Sequence, residues 1–88
     1  MQKSLYSRDN DELLRLLVKI RNDRGITQVE LAERLGEVQP WISRVERGVR
    51  RLDLVELMQW CDALGIPLPE FVARYYEEVR PGPRPGPE

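Results

Sequence analysis

Within SRDNDELLRLLVKIRNDRGI, apolar Leu13, Leu16, Leu17 and Ile20 recur at i, i+3, i+4 and i+7, the stripe of one amphipathic helix. Asp9 or Asn10 is the expected cap, with Asp11 and Glu12 in the first turn and Gly25 as the stop. TQVELAERLG predicts a second, short helix: Thr27 and Glu30 form a capping box, Leu31, Ala32 and Leu35 face inward, and Gly36 ends it. In PWISRVERG, Pro40 suits a first turn, Ile42 and Val45 face inward, and Gly48 terminates. LDLVELMQWCDALG starts with a box-like Asp53 and Glu56. Its expected buried stripe is Leu54, Leu57, Met58, Cys61 and Leu64, with Trp60 at the surface edge and Gly65 at the end. PLPEFVARYYEEV places Leu68, Phe71, Val72, Tyr75 and Val79 on one side of a fifth helix. No strand periodicity competes with these segments. The sequence thus predicts an all-α domain of five short helices over 9–79. A flexible arm is expected at 1–8 and an extended or disordered tail, PGPRPGPE, from residue 80 onward.

The spacing inside residues 28–47 carries more than helix periodicity. Two helices that cross steeply through a short turn must approach closely, and Ala32 is small enough to sit at the crossing. The turn between them requires a positive φ, which Gly36 accepts without steric cost. Ile42 and Val45 then pin the second helix of the pair onto the first helix of the domain. This is a helix-turn-helix unit formed by helices two and three.

The ordered series in RNDRGITQVELAERLG, ISRVERG and LGIPLPEF resembles the lambda repressor/Cro-like (XRE-type) DNA-binding domain, from about Leu13 to Phe71. The resemblance implies a compact five-helix domain whose third helix enters the major groove of double-stranded DNA. Gln39 matches the first reading position, where an amide can pair with adenine at two points. Pro40 matches a second reading position but has no donor. Arg44 lies about a turn further on, with a fork suited to guanine, and Ser43 beside it can meet base or phosphate. Thr27 and Gln28, at the start of helix two, match phosphate-contacting positions, as do Arg47, Arg50 and Arg51 in and after helix three. Trp41 has two open readings: against the sugar-phosphate backbone, or packed over the crossing of helices two and three. Arg21 and Glu46 match a structural ion pair that ties helix one to helix three. Val38 stands where relatives carry a small hydroxylated cap.

Charge sharpens the picture. The chain has a net charge of −1, yet Arg44, Arg47, Arg50 and Arg51 cluster against Glu46 alone within 39–51. Between 52 and 79, Arg74 faces Asp53, Glu56, Asp62, Glu70, Glu77 and Glu78. The basic stretch suits phosphate, and the acidic helices point away from it or meet a partner. A chain of 88 residues supports one small core. With Cys61 its single cysteine and no histidine, it can form no internal disulfide and lacks the usual zinc ligands and the commonest general base. No catalytic residues, metal or cofactor are expected. No apolar run suits a membrane span, and a cytoplasmic location is the expectation.

The apolar set of helix five, Phe71, Val72, Tyr75, Tyr76 and Val79, exceeds one narrow stripe. A small domain cannot use all of it internally, so a homodimer on a pseudo-palindromic operator is expected, with recognition helices about 34 Å apart. The function these features imply is sequence-specific transcriptional regulation by a small repressor. The alternative is an antitoxin or protein-interaction module of the same fold, holding a protein partner through its acidic C-terminal helices.

Overall fold

The computed structural model describes residues 5–79, with side chains from Arg8 to Glu77. Among these residues five α-helices form and no strand: α1 (Leu5–Asp23), α2 (Gln28–Leu35), α3 (Gln39–Glu46), α4 (Leu54–Leu64) and α5 (Leu68–Arg74). The last runs on into a π-helical turn, Tyr75–Val79. The expected tail and the first residues of the expected arm lie outside the described residues.

Local chemistry sets most helix ends as the sequence predicts. Thr27 Oγ1 accepts from the Glu30 backbone N–H at 3.0 Å, and the Glu30 carboxylate accepts from the Thr27 N–H at 2.9 Å. Asp53 and Glu56 repeat this reciprocal box on α4 at 2.7 and 2.9 Å. Each box satisfies two N–H groups that the helix itself leaves without acceptors. Gly36 holds φ at +70° and turns the chain from α2 toward α3. The start of α1 differs from expectation. It runs from Leu5, so Asp9 and Asn10 lie inside the helix and do not mark its start. Residues 5–9 contain neither glycine nor proline to stop the helix from extending toward the N-terminus.

The core gathers one face from every helix. Leu14, Leu16, Leu17 and Ile20 of α1 meet Leu31 and Ala32 of α2, Ile42 and Val45 of α3, and Trp60, Cys61 and Leu64 of α4, closed by Ile66 and Phe71. Leu13 is only partly buried and Leu14 takes the deeper place. On α4 the buried stripe is shifted from the expected one. Leu57, Trp60, Cys61 and Leu64 run at i, i+3, i+4 and i+7, while Leu54 and Met58 are 68% and 42% exposed. Two neighbouring stripes on this helix are apolar, and the one holding the large indole wins because it removes more surface from water. Trp60 is therefore a core residue. Its ring lies 6.0 Å from that of Trp41, tilted by 55°. Phe71 is fully buried as well and belongs to the core, not to a dimer surface. Val72 and Tyr76 are exposed, and Tyr75 is half-buried. The Tyr75 hydroxyl donates to the Asp9 carbonyl at 3.1 Å, tying the C-terminal turn to α1.

The shifted stripe makes a measurable difference. Trp60→Ala should cost about 3–5 kcal/mol in urea unfolding. Leu54→Ala, at concentrations too low for association, should stay within about 0.5 kcal/mol.

Candidate nucleic-acid interface

The site begins with a buried ion pair. Arg21, near the C-terminus of α1, donates from Nε to Glu46 Oε2 at 2.7 Å and from Nη2 to Glu46 Oε1 at 3.0 Å. Its Nη1 donates to the Ile26 carbonyl at 2.9 Å. The two side chains are only 11% and 7% exposed. A fork-to-fork pair at this depth fixes angle as well as distance. It joins α1 to the last turn of α3, as the resemblance implies for these positions.

The same carboxylate reaches further. Gln28 Nε2 donates to Glu46 Oε1 at 2.8 Å, and Gln39 Nε2 donates to Gln28 Oε1 at 2.7 Å. A continuous chain thus runs Arg21–Glu46–Gln28–Gln39, from the buried side of the unit to its surface. Its last member, Gln39, is exposed at the first position of α3. Sequence reasoning placed both glutamines at the site but missed their mutual bond. Their separation of eleven residues gives no periodic signal, since it spans the turn between two helices.

α3 presents Gln39, Pro40 and Arg44 as exposed residues, with Ser43 half-buried among them and Arg47 exposed at the C-cap. Arg47 Nε donates to Ser43 Oγ at 3.2 Å. Ile42 and Val45 hold the opposite face in the core. Val38 supplies no side-chain cap, and Pro40 occupies the first turn, as the sequence predicts. Thr27 is exposed at the start of α2, and its oxygen is engaged in the capping box. Arg51 is exposed after α3.

Two of the residues expected at the DNA also make contacts within the fold. Trp41 is half-buried against Trp60, which favours its packed reading. Arg50 lies over the Trp41 ring, 5.1 Å from its centroid, and donates to both oxygens of Glu56 at 2.9 and 2.8 Å. The guanidinium bond, joined by the Asp53 N–H, holds the Glu56 carboxyl at about 2, well below the usual carboxylate range. Arg50 is raised in turn by Glu56. Counting arginines does not reveal this pair, because Glu56 serves the capping box of α4 as well.

The sequence reading also missed two arginines at the far end of α4. That helix has no basic residue in its last turn. Arg24 Nη1 donates to the Leu64 and Gly65 carbonyls at 3.0 and 2.7 Å, and Arg34 Nη1 donates to the Ala63 carbonyl at 2.8 Å. These cations, one from the turn after α1 and one from α2, meet the negative end of the helix dipole. A Cβ at Gly65, where φ is +83°, would come within 3.1 Å of Arg24 Nη1. The unit that carries α3 is thereby locked to α4. Cys61 is buried in that helix, and burial together with Asp62 pushes its thiol up to about 11.

Among the described residues no group of three or more His, Cys, Asp or Glu is arranged to hold a metal ion. No helix among them is long and apolar enough to cross a membrane.

Comparison with known proteins agrees with this geometry. The family profile described as helix-turn-helix matches residues 17–71. An uncharacterized HTH-type transcriptional regulator, y4dJ, of Sinorhizobium fredii is 35% identical over 54 residues, which cover 61% of this chain and 70% of that protein. An XRE-family like protein from Pseudomonas syringae pv. tomato superposes with a TM-score of 0.77 at 37% identity, covering 81% of this chain and 87% of its own. A point mutant of the restriction-modification controller protein C.Esp1396I superposes with a TM-score of 0.76 at 25% identity, covering 82% of this chain and 96% of its own. The chain belongs to the XRE-type family of helix-turn-helix DNA-binding domains.

Removing one partner of the central pair leaves a buried charge uncompensated. Glu46→Ala should therefore lower unfolding free energy by about 3–5 kcal/mol in urea titrations. The Arg50–Glu56 pair predicts a pH effect. The folded carboxyl is depressed to about 2 from an ordinary 4.5, so its contribution is complete above 4.5 and is lost as pH falls toward 2. Wild type should melt above Glu56→Gln at pH 6, and the gap in melting temperature should close across that acid range.

Proposed function

We propose that this chain is a transcriptional regulator that occupies a DNA operator with α3 in the major groove and acts as a small repressor. The observation that carries the reading is the hydrogen-bonded chain ending at Gln39. Arg21 and Glu46 anchor Gln28, and Gln28 orients the Gln39 amide at the tip of the exposed helix. One amide proton of Gln39 is used by Gln28. The other, with Oε1, is available for the N7 and N6 edge of adenine. Arg44 supplies a bidentate fork to guanine, and Pro40 offers apolar contact to a thymine methyl. Thr27, Gln28, Ser43, Arg47 and Arg51 line the phosphates on either side. The regulatory role is supported by the relatives, which include an HTH-type transcriptional regulator and a restriction-modification controller protein.

The binding unit in this reading is a homodimer. Leu54, Val55 and Met58 on α4, with Val72 and Tyr76 at the C-terminal end, leave large apolar side chains in solvent. A second copy packed on these side chains would remove them from water. Of the dimer surface expected from sequence, Val72 and Tyr76 are exposed, Tyr75 is half-buried against the core, Phe71 lies within the core, and the side chain of Val79 lies outside the described residues; α4 adds Leu54, Val55 and Met58. Two copies related by a two-fold axis would read a pseudo-palindrome with half-sites one helical turn apart.

Selection of bound fragments from a random duplex pool at two salt concentrations tests the reading. An enriched pseudo-palindrome is expected, and recovery of no sequence preference would sink it. Arg44→Ala should lose about 1–3 kcal/mol on the selected site and relax one base position. An unchanged preference would remove Arg44 from the readout. Light scattering at micromolar concentration should report twice the chain mass, and a strict monomer counts against the dimer.

A further inference from the structure

We infer that Arg50 is a positioning residue that sets the pose of α3 by clamping Trp41 to α4, and that it contributes no phosphate contact. The inference rests on the reading of α3 as the recognition helix. Arg50 lies in the link between α3 and α4, within the basic stretch. Its guanidinium plane meets Glu56 at two points, 2.9 and 2.8 Å, and Nη1 also donates to the Arg51 carbonyl at 2.7 Å. Its face lies over the Trp41 ring. Trp41 belongs to α3, and its ring packs in turn on Trp60 of α4.

These contacts close a circuit. Glu56 holds Arg50, Arg50 covers Trp41, and Trp41 rests on Trp60, which shares α4 with Glu56. The Trp41 side chain of α3 is therefore held against α4 from two directions. The clamp has a firm base, because Glu56 Oε1 also accepts the Asp53 N–H that starts α4. Only a planar cation can place its edge on a carboxylate and its face on an indole at the same time. A lysine keeps the charge but cannot fill both roles. The charge itself is already opposed by Glu56, so Arg50 adds little to the field that a phosphate would sense.

The inference separates Arg50 from the other arginines of the basic stretch by measurable behaviour. Wild type, Arg50→Lys, Arg50→Ala and Glu56→Gln are titrated with the selected operator and with random duplex across a range of salt. Glu56→Gln retains a side chain able to complete the capping box of α4. For a clamp, all three variants reduce the ratio of operator to random binding by about tenfold, comparable to one well-placed base contact. Their salt slopes stay within about 0.3 of wild type, because no phosphate contact is lost. Arg50→Lys also changes the near-ultraviolet circular dichroism of the tryptophans while the far-ultraviolet helix signal holds.

A phosphate-contacting Arg50 behaves in the opposite way. Lysine then preserves both affinity and selectivity, and alanine lowers the slope by about 0.9 with the ratio intact. Glu56→Gln then tightens binding to random duplex by releasing the cation. Any one of these results overturns the clamp. Wild type that selects no sequence at all overturns the DNA reading itself, a result distinct from a wild-type operator that Arg50→Lys binds unchanged.

Discussion

The bond between Arg21 and Glu46 is the constraint from which the arrangement of this domain follows. A buried guanidinium and a buried carboxylate are each costly to remove from water, and their mutual geometry, with the Ile26 carbonyl and the Gln28 amide completing their hydrogen bonds, offsets that cost. Once paired, they leave α1 and α3 one relative placement. Glu46 then has a lone pair directed at α2, which Gln28 uses, and Gln28 has a carbonyl directed at the start of α3, which Gln39 uses. One polar network inside the fold thereby governs the orientation of an amide on its surface. Apolar packing by Ile42 and Val45 would hold α3 against the core but would leave the Gln39 side chain free to rotate.

The arginines of this chain divide their work by depth and by partner. Arg21 is internal. Arg24 and Arg34 close the carbonyl end of α4 from outside its own sequence. Arg50 is matched by Glu56, while Arg44, Arg47 and Arg51 stand exposed on or after α3. The basic stretch that stands out in the sequence is therefore not uniform. This division also bears on the low net charge. Acidic residues are used where a guanidinium must be held, and α4 supplies one such residue at the edge of the basic surface.

Much of this was legible in the residues themselves. The two capping boxes, the small Ala32 at the crossing, the left-handed Gly36 and the inward Ile42 and Val45 are local or near-local demands, each met by one residue type. The match of Arg21 with Glu46 was legible through the resemblance. What escaped was of two physical kinds. On α4 two adjacent apolar stripes satisfy the same periodicity, and the choice between them depends on what the neighbouring helices offer, here the ring of Trp41. The extended start of α1 belongs with it, since candidate caps at Asp9 and Asn10 do not stop a helix that can continue. The second kind is the long-range polar contact. Arg24 reaches α4 across forty residues, Arg34 across twenty-nine, and Gln39 meets Gln28 across a turn. The two arginines share no local window with their acceptors, and the two glutamines, though near in sequence, stand at no helical period across the turn, so spacing alone could not pair them.

Cys61 carries a final consequence. Its sulfur is enclosed by the core, and its thiolate is suppressed by that enclosure and by a neighbouring carboxylate. Peroxide and disulfide exchange act on the anion, so the folded domain gives them almost nothing to attack. Covalent cross-linking of two copies through sulfur is closed to the native state. Self-association of the folded domain would therefore rest on its surfaces and on no bond through Cys61, while the exposed thioether of Met58 stays open to peroxide.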